Sequence, residues 1–343
     1  MIAFVCGGGK GVGWGHVARC IRLAEALRRR GRRSVFLARD AEREPKAFLR
    51  ASRFPCRSFH GDPLRALARL RGRVSVLVVD DYAAGQAFFR RCRSAFPGVP
   101  IVAIDDLGRD LSVDLLVEPC PEPKRHRCTG PVLSGHRFTL AVRAPFVRSR
   151  PGGRTRVLVS LGGNSGRIAR KVLKALESCR LPLEAWVTGD GAHLSSASSG
   201  HLRTRRIPPG WDFWRRIPKP AFAICAGGGT CLEAACRGVP LLLIERAANQ
   251  HDNIQALVRI GAARLVGPTS SASVARIRAV VRAIFSDAPA RRAMSAAGQR
   301  RIDGKGAERA ASAVVRMMES RGRAAALRSP PLRKPLSGSM FIL

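Results

Sequence analysis

The chain has 343 residues, a hydrophobic fraction of 45% and a formal net charge of +37. This length favours two domains of ordinary size, and no apolar run approaches the roughly 18–20 residues that span a bilayer. The charge favours anionic partners, but the arginines are scattered and no zinc finger or basic-region helix accompanies them. A specific nucleic-acid-binding protein is therefore not expected.

The first half of the chain alternates apolar strands with helical segments. The predicted strands are Ile2–Cys6, Ser34–Ala38, Val74–Val79, Ile101–Ile104 and Leu115–Val117, and a helix over Val17–Arg30 is ended by Gly31. Continuously apolar strands are typical of a parallel sheet that is covered on both faces. Ile2–Cys6 is too short, and too closely followed by glycines, to be a signal peptide.

After a linker at Pro145–Arg156 the same pattern restarts. The predicted strands are Val157–Leu161, Leu183–Thr188, Ala221–Ala226 and Val239–Ile244, and the predicted helices are Ile168–Glu177, Thr230–Arg237, Asn253–Ile260, Val274–Phe285, Ala290–Arg301 and Ala307–Ser320. The arginine- and proline-rich end predicts a disordered basic tail. The predicted domains are therefore residues 1–150 and 151–320, with a tail over 321–343.

Two glycine-rich turns follow predicted strands and open predicted helices. In the second, Gly227–Thr230, the exposed backbone N–H groups suit phosphate, and Thr230 can cap the helix or bind a diphosphate oxygen. A tight turn with a capping threonine is the plainer alternative. Glu233, one helical turn on, can accept hydrogen bonds from a ribose, and the amides of Asn249 and Gln250 suit sugar hydroxyls or a water.

The first glycine-rich turn, Gly7–Gly15, precedes His16. It lacks the ending of a nucleoside-triphosphatase loop, because Lys10 is followed by Gly11, and it lacks the acidic residue of a dinucleotide site. The positive end of a helix favours a neutral imidazole, so His16 is a candidate general base.

Two acidic pairs end predicted strands: Asp80 with Asp81, and Asp105 with Asp106. Such pairs raise the question of a divalent metal, but strand-end carboxylates commonly cap turns, so no metal is expected. Tyr82, the single tyrosine of the chain, can stack on a ligand, donate its hydroxyl, or merely pack. The ten cysteines lack the spacing of a zinc site, and Cys6, Cys20 and Cys225 are expected to be buried thiols in a reducing cytoplasm.

The ordered set of motifs resembles the UDP-sugar hydrolases of pseudaminic acid biosynthesis, a branch of the MurG-like glycosyltransferase-B superfamily, from about Gly11 to Val315. The matching residues are Gly13, Gly15, His16, Arg19, Cys20, Asp80, Asp81, Tyr82, Ile104, Asp105, Asp106, Leu133–Phe138, Arg143, Phe146, Gly162, Gly163, Gly227–Thr230, Glu233, Asn249, Gln250 and Ile302–Gly306. The chain departs from the family at Gly7–Lys10, and at Asp81, where the family carries a histidine.

The resemblance implies an α/β protein with a GT-B-like fold, in which two Rossmann-like domains with parallel sheets face a cleft. The C-terminal domain would bind UDP, with the diphosphate over Gly228–Thr230 and the ribose near Glu233. The implied reaction is metal- and cofactor-independent hydrolysis of UDP-linked diacetamido-trideoxy-altropyranose or a close relative. His16 would activate water, helped by Tyr82 and Asn249.

The remaining implied substrate contacts are Gly13, Gly15, Arg19, Asp81, Gly162, Gly163, Gly227, Gly228, Gly229, Thr230, Glu233 and Gln250. The alternative is a MurG-like glycosyltransferase that uses a UDP-sugar in surface polysaccharide or glycolipid synthesis, because one fold and one UDP site serve both reactions. A third, non-catalytic class is an anion-binding protein. We expect a cytoplasmic monomer whose basic surface allows peripheral membrane contact.

Overall fold

A computed structural model describes residues 1–7, 15–40, 43–148, 153–163, 165–189, 200–208 and 213–328. In these ranges the chain forms two sheets of parallel strands, one from each half of the sequence. The predicted substrate contact Gly13 lies outside the described residues.

The N-terminal sheet is flanked by four helices from its own half of the described chain. Its elements are β1 (Ile2–Gly7), α1 (Gly15–Arg28), β2 (Ser34–Arg39), α2 (Arg43–Ala51), β3 (Cys56–Phe59), α3 (Pro63–Ala68), β4 (Val76–Asp80), α4 (Gln86–Ala95), β5 (Ile101–Ile104), β6 (Leu115–Val117) and β7 (Val132–Leu133). As predicted, Gly31 follows the first helix, and its φ of 72° is a left-handed conformation that glycine adopts without steric cost.

The C-terminal sheet is built in the same way from the second half. Its elements are β8 (Thr155–Ser160), α5 (Gly166–Ser178), β9 (Leu183–Thr188), β10 (Leu202–Arg206), α6 (Phe213–Arg216), β11 (Phe222–Ala226), α7 (Gly229–Cys236), β12 (Leu241–Glu245), α8 (His251–Arg259), β13 (Ala263–Pro268), α9 (Val274–Ser286) and α10 (Ala288–Arg301). A last helix, α11, spans Gly306–Arg328.

The two sheets share one strand order. The first runs β3-β2-β1-β4-β5-β6-β7 and the second β10-β9-β8-β11-β12-β13. In each, the winding direction reverses between the two central strands, β1 and β4 or β8 and β11. Ligands of open parallel sheets bind beyond the carboxyl ends of the strands at such switch points. At these ends, His16 lies in the first turn of the helix that follows β1, Asp80 is the last residue of β4, and Gly162 and Gly227 follow β8 and β11.

Helix α11 does not belong to the C-terminal domain, where the sequence placed residues up to 320. Ala307, Ala310 and Val314 are buried in the same core as Phe4 and Ile21 of the N-terminal domain. After α10 the chain therefore returns to the N-terminal domain, where the apolar face of α11 packs against α1.

The predicted tail boundary also differs from the structure. Helix α11 continues to Arg328, so residues 321–328 are helical, and Arg321 donates a hydrogen bond to Asp114. The predicted thiols Cys6, Cys20 and Cys225 are buried and free.

Within the described part of the chain, no helix combines the length and the apolar character needed to cross a membrane.

Candidate functional site

His16 and Asp80 form a buried pair at the N-terminal switch point. His16 lies in the first turn of α1 and Asp80 ends β4, and their Nδ1 and Oδ1 atoms are 2.5 Å apart. Burial alone would raise the pKa of the Asp80 carboxyl, but Arg19 and His16 lower it by more, to about 2. An ionised carboxylate only accepts hydrogen bonds, so His16 donates from Nδ1, and in the neutral imidazole this tautomer has its lone pair on Nε2.

Arg19 lies one turn after His16 on α1 and supports this pair. Its Nε and Nη2 donate to Oδ2 and Oδ1 of Asp80 at 2.6 and 2.7 Å, and its Nη1 donates to Oδ2 of Asp106 at 2.6 Å. The sequence-based prediction placed Arg19 among the substrate contacts. In the structure all three of its donor nitrogens form hydrogen bonds to these two carboxylates, so Arg19 supports the His16–Asp80 pair.

Tyr82 contacts His16 through its ring. The two ring centroids are 4.3 Å apart at an interplanar angle of 85°, and the phenol donates to Oδ1 of Asp106 at 2.8 Å. Burial raises the pKa of Tyr82 well above its ordinary value, and the Asp106 carboxylate adds to that rise, so the phenol stays protonated. The hydroxyl that was a candidate donor to substrate therefore donates to Asp106.

Every one of the four strand-end carboxylates has an arginine partner. Asp81, a predicted substrate contact, is buried beside Arg39, and Asp105 lies 2.6 Å from Arg109. Among the described residues, no group of three or more histidine, cysteine or acidic side chains is arranged to hold a metal. Part of the large arginine content thus neutralises buried acids at this sheet edge.

The second glycine-rich turn opens α7, the helix expected to hold a diphosphate. Gly228 is the N-cap and α7 begins at Gly229, so Thr230 lies inside the first turn and the alternative of a capping threonine does not hold. A Cβ at Gly228 or Gly229 would meet nothing within 4 Å, whereas one at Gly227 would lie 2.6 Å from Ile254. Space is therefore open beyond the start of α7 and closed beneath it.

Gln250 and Asn253 hold this turn in place. Oε1 of Gln250 accepts from the backbone N–H groups of Gly227 at 3.2 Å and Arg246 at 3.1 Å, and Asn253 donates to the Gly227 carbonyl at 3.1 Å. Gln250 was expected to bind substrate, but its oxygen braces the turn. Asn249, beside it, is exposed to solvent.

The predicted contacts Gly162 and Gly163 follow β8, next to the α7 turn in the sheet. Nη1 of Arg246, at the end of β12, donates to the carbonyls of Leu161 and Gly163. Because β11 lies between β8 and β12, this side chain crosses the end of the strand that feeds α7. Gly162 has a φ of 76°, which explains the need for glycine there.

Glu233 joins the two domains. Its Oε1 accepts from Nη2 of Arg22 on α1 at 3.0 Å, and its Oε2 accepts from the indole of Trp214 at 2.7 Å. Burial raises the pKa of Glu233, but Arg22 and Arg237 lower it by more. The residue expected near a ribose is thus also an interdomain contact, and 14% of its side chain stays exposed.

This contact aligns the two candidate regions. At 1.5 Å per residue, His16 lies about 9 Å along α1 from Arg22, and Gly229 lies about 6 Å along α7 from Glu233. Gly15 is exposed at the start of α1. The start of α1, with its buried base, and the open glycine turn of α7 therefore each lie within about 9 Å of the domain contact, measured along their own helices.

Sequence reasoning missed several residues of this arrangement. Arg22, Trp214, Arg246 and Asn253 carry no motif that sets them apart in an arginine-rich chain. Asp80 was noticed as half of an acidic pair and as part of the resembling motif, but it was given no role beside His16. Its position at a strand end signalled closeness to His16, but its pairing with that imidazole depends on β1 and β4 being neighbours.

No family model matches the sequence. Among curated proteins, the chain is 28% identical over 174 residues to the PGL/p-HBAD biosynthesis glycosyltransferases of the Mycobacterium tuberculosis strains H37Ra and H37Rv. The matched stretch covers 50% of this chain and 38% of each relative. The similarity therefore concerns about half of this chain and a smaller part of those proteins.

Similarity to solved structures extends over nearly the whole chain. The spinosyn rhamnosyltransferase SpnG with spinosyn aglycone matches with a TM-score of 0.64 at 18% identity, over 93% of this chain and 100% of that one. MurG of Acinetobacter baumannii matches with a TM-score of 0.62 at 16% identity, over 92% and 99%. The glycosyltransferase VinC with dTDP matches with a TM-score of 0.61 at 15% identity, over 93% and 99%. The chain has the GT-B fold that the sequence resemblance implied.

Proposed function

We propose that this chain is a glycosyltransferase that moves a sugar from a nucleoside diphosphate to a hydroxyl acceptor, with His16 as the general base. The observation that carries the proposal is the buried His16–Asp80 pair at the start of α1, the helix that contacts α7 of the other domain through Arg22 and Glu233. The curated relatives and structural neighbours named as glycosyltransferases support this alternative over the hydrolase that the sequence resemblance implied.

The donor would lie in the C-terminal domain. The first N–H groups of a helix have no intrahelical acceptor and favour anions, and the space beyond Gly228 and Gly229 is open. The diphosphate would bind there, near Thr230. The ribose would lie by Glu233, since a carboxylate offers about four lone-pair sites and Arg22 and Trp214 do not use them all. A thymidine diphosphate is bound by a structural neighbour, so both uridine and thymidine donors are candidates.

The base would lie in the N-terminal domain. His16 would take the acceptor's hydroxyl proton at Nε2, the acceptor oxygen would bond to the anomeric carbon, and the bond from that carbon to the diphosphate oxygen would break. Asp80 would stabilise the imidazolium that forms, and the positive end of α7 would stabilise the departing diphosphate. Only 3% of His16 is exposed, so in this structure the base is shielded from bulk water.

Asn249 and Asp81 are the remaining proposed sugar contacts. Asn249 is exposed beside the braced α7 turn, where an amide can bind a sugar hydroxyl. Asp81 is held by Arg39 at the carboxyl edge of the N-terminal sheet and stands where the resembling family has histidine. A different sugar from that family's is therefore expected.

The test is turnover of UDP- and dTDP-sugars with and without a panel of hydroxyl acceptors. We expect nucleoside diphosphate release that depends on an acceptor, and a loss of about 10²–10⁴-fold in His16→Ala with UDP affinity unchanged. His60→Ala, at an exposed histidine, is the matched control and should behave like the wild type. Acceptor-independent release would restore the hydrolase, and normal turnover in His16→Ala would refute the base.

A further inference from the structure

Asp106 is linked to His16 through two separate neighbours. It follows β5 and makes no direct hydrogen bond to the imidazole that the structure records. One of its oxygens accepts from the Tyr82 phenol at 2.8 Å and the other from Nη1 of Arg19 at 2.6 Å. Both of these neighbours contact the His16 pair, so one carboxylate is connected to the candidate base from two sides.

The first connection runs through an aromatic ring. Tyr82 meets the His16 ring edge to face, with centroids 4.3 Å apart. A phenol has a single proton to donate, and here Asp106 accepts it. That bond holds the tilt of the Tyr82 ring, and the ring in turn limits rotation of the imidazole.

The second connection runs through a guanidinium. Arg19 donates to both oxygens of Asp80 and thereby sets the plane of the carboxylate that accepts from His16. Its remaining amino group, Nη1, is held by Asp106. Because a guanidinium is planar and rigid, fixing Nη1 also fixes the two nitrogens that hold Asp80.

We propose that Asp106 is a positioning residue that orients the His16 imidazole through Tyr82 and Arg19 together. The role in transfer rests on the function proposed above, but the orientation itself does not. A reacting group needs to be held within about 10–20° of its productive direction. Two independent restraints on one ring supply such precision at a base that sits on the first turn of a helix.

Asp105 offers a matched control from the same acidic pair. Asp105 is more deeply buried than Asp106. It accepts hydrogen bonds from the guanidinium of Arg109 and from the backbone N–H groups of Leu107 and Arg109. No recorded hydrogen bond of Asp105 itself goes to His16, Arg19 or Tyr82, and the amide in Asp105→Asn keeps an oxygen that can accept from Arg109, which also donates to the Tyr82 backbone carbonyl at 2.9 Å. Asp105→Asn should therefore disturb the strand end without disturbing the imidazole.

The experiment is proton NMR of the full chain, following the low-field Nδ1 proton of His16, identified by its loss in His16→Gln. In Asp106→Asn this resonance should shift and broaden, and in Asp105→Asn it should keep its wild-type position. With active donor and acceptor, Asp106→Asn should lose up to about 100-fold in kcat, with KM for the nucleotide sugar and UDP affinity within about twofold of wild type.

An unchanged His16 resonance in Asp106→Asn, or an equal change in Asp105→Asn, would overturn the proposal. Tyr82→Phe keeps the ring and removes only the bond to Asp106, so it tests one connection even if Asp106→Asn fails to fold. It should move the resonance in the same direction by less, and no change would refute the two-sided restraint. A responsive resonance in a chain with no transferase turnover would support the positioning and refute the proposed function.

Discussion

The charge on Asp80 should make a measurable contribution to the stability of the fold. Burial opposes ionisation, but Arg19 and His16 favour it by more, and the pKa falls from an ordinary value of 3.8 to about 2. At about 1.4 kcal/mol for each pH unit of that difference, the contribution is about 2 kcal/mol at neutral pH. Asp80 is fully buried, so solvent screening does not reduce this figure.

The sign fixes the pH range of the effect. A carboxyl whose pKa is lower in the folded chain stabilises it fully above the unfolded pKa and loses that contribution as the pH falls through the folded pKa. About 1 kcal/mol should therefore be lost between about pH 5 and pH 3. Asp80→Asn cannot ionise, so the difference in unfolding free energy between wild type and variant should narrow by that amount.

The assay is urea unfolding at both pH values, followed by circular dichroism at constant ionic strength. Asp303→Asn is the control, because hydrogen bonds from Arg309 also lower the pKa of Asp303 to about 2, yet 35% of its side chain is exposed. Added salt should reduce the contribution of Asp303 and leave that of Asp80 nearly unchanged. A difference between wild type and Asp80→Asn that stays constant over this range would refute an ionised Asp80, and with it the proton placed on His16 Nδ1.

Two further predictions concern the second domain and its contact with the first. Gly227→Ala should lower the free energy of unfolding in urea by about 1–3 kcal/mol, because its Cβ would lie 2.6 Å from the Ile254 side chain. Gly228→Ala should unfold like the wild type but bind UDP more weakly, as measured by calorimetry. An unchanged affinity for UDP would refute the binding of the diphosphate at this turn. Arg22→Met should lower the free energy of unfolding by about 3–5 kcal/mol, because Glu233 would lose its main counter-charge. A double-mutant cycle with Glu233→Gln should give a coupling of about 1–3 kcal/mol, and a coupling near zero would show that the interdomain bond does not form in solution.

The local pattern of this chain predicted many of the elements that carry the site. The spacing of apolar residues and the positions of glycines predicted the strand Leu183–Thr188 and the start of α1 near His16. Both signals act over a few residues. The short strands β3 and β10 were missed, because Cys56–Phe59 and Leu202–Arg206 are largely polar and lie at sheet edges. Their pairing depends on a neighbouring strand, which no local pattern encodes.

The boundary between the domains shows a similar limit. The periodicity of Ala307–Ser320 predicted a helix, and the helix is present in α11. Sequence order assigned it to the domain that precedes it. In the structure α11 shares an apolar core with α1, and Glu308 pairs with Arg29 and Arg30, residues almost the whole chain away.

The sequence by itself determined the alternation of strands and helices, because this follows from backbone geometry and the spacing of apolar residues. It also determined that glycines, a histidine and acidic residues lie where strands end. Only the tertiary structure decided which acid meets which base. Asp80 and Asp81 are adjacent, yet one pairs with His16 and the other with Arg39, since successive strand residues point to opposite faces. Arg22 and Glu233 are 211 positions apart, and the contact between them exists only because two separately folded sheets bring α1 and α7 together.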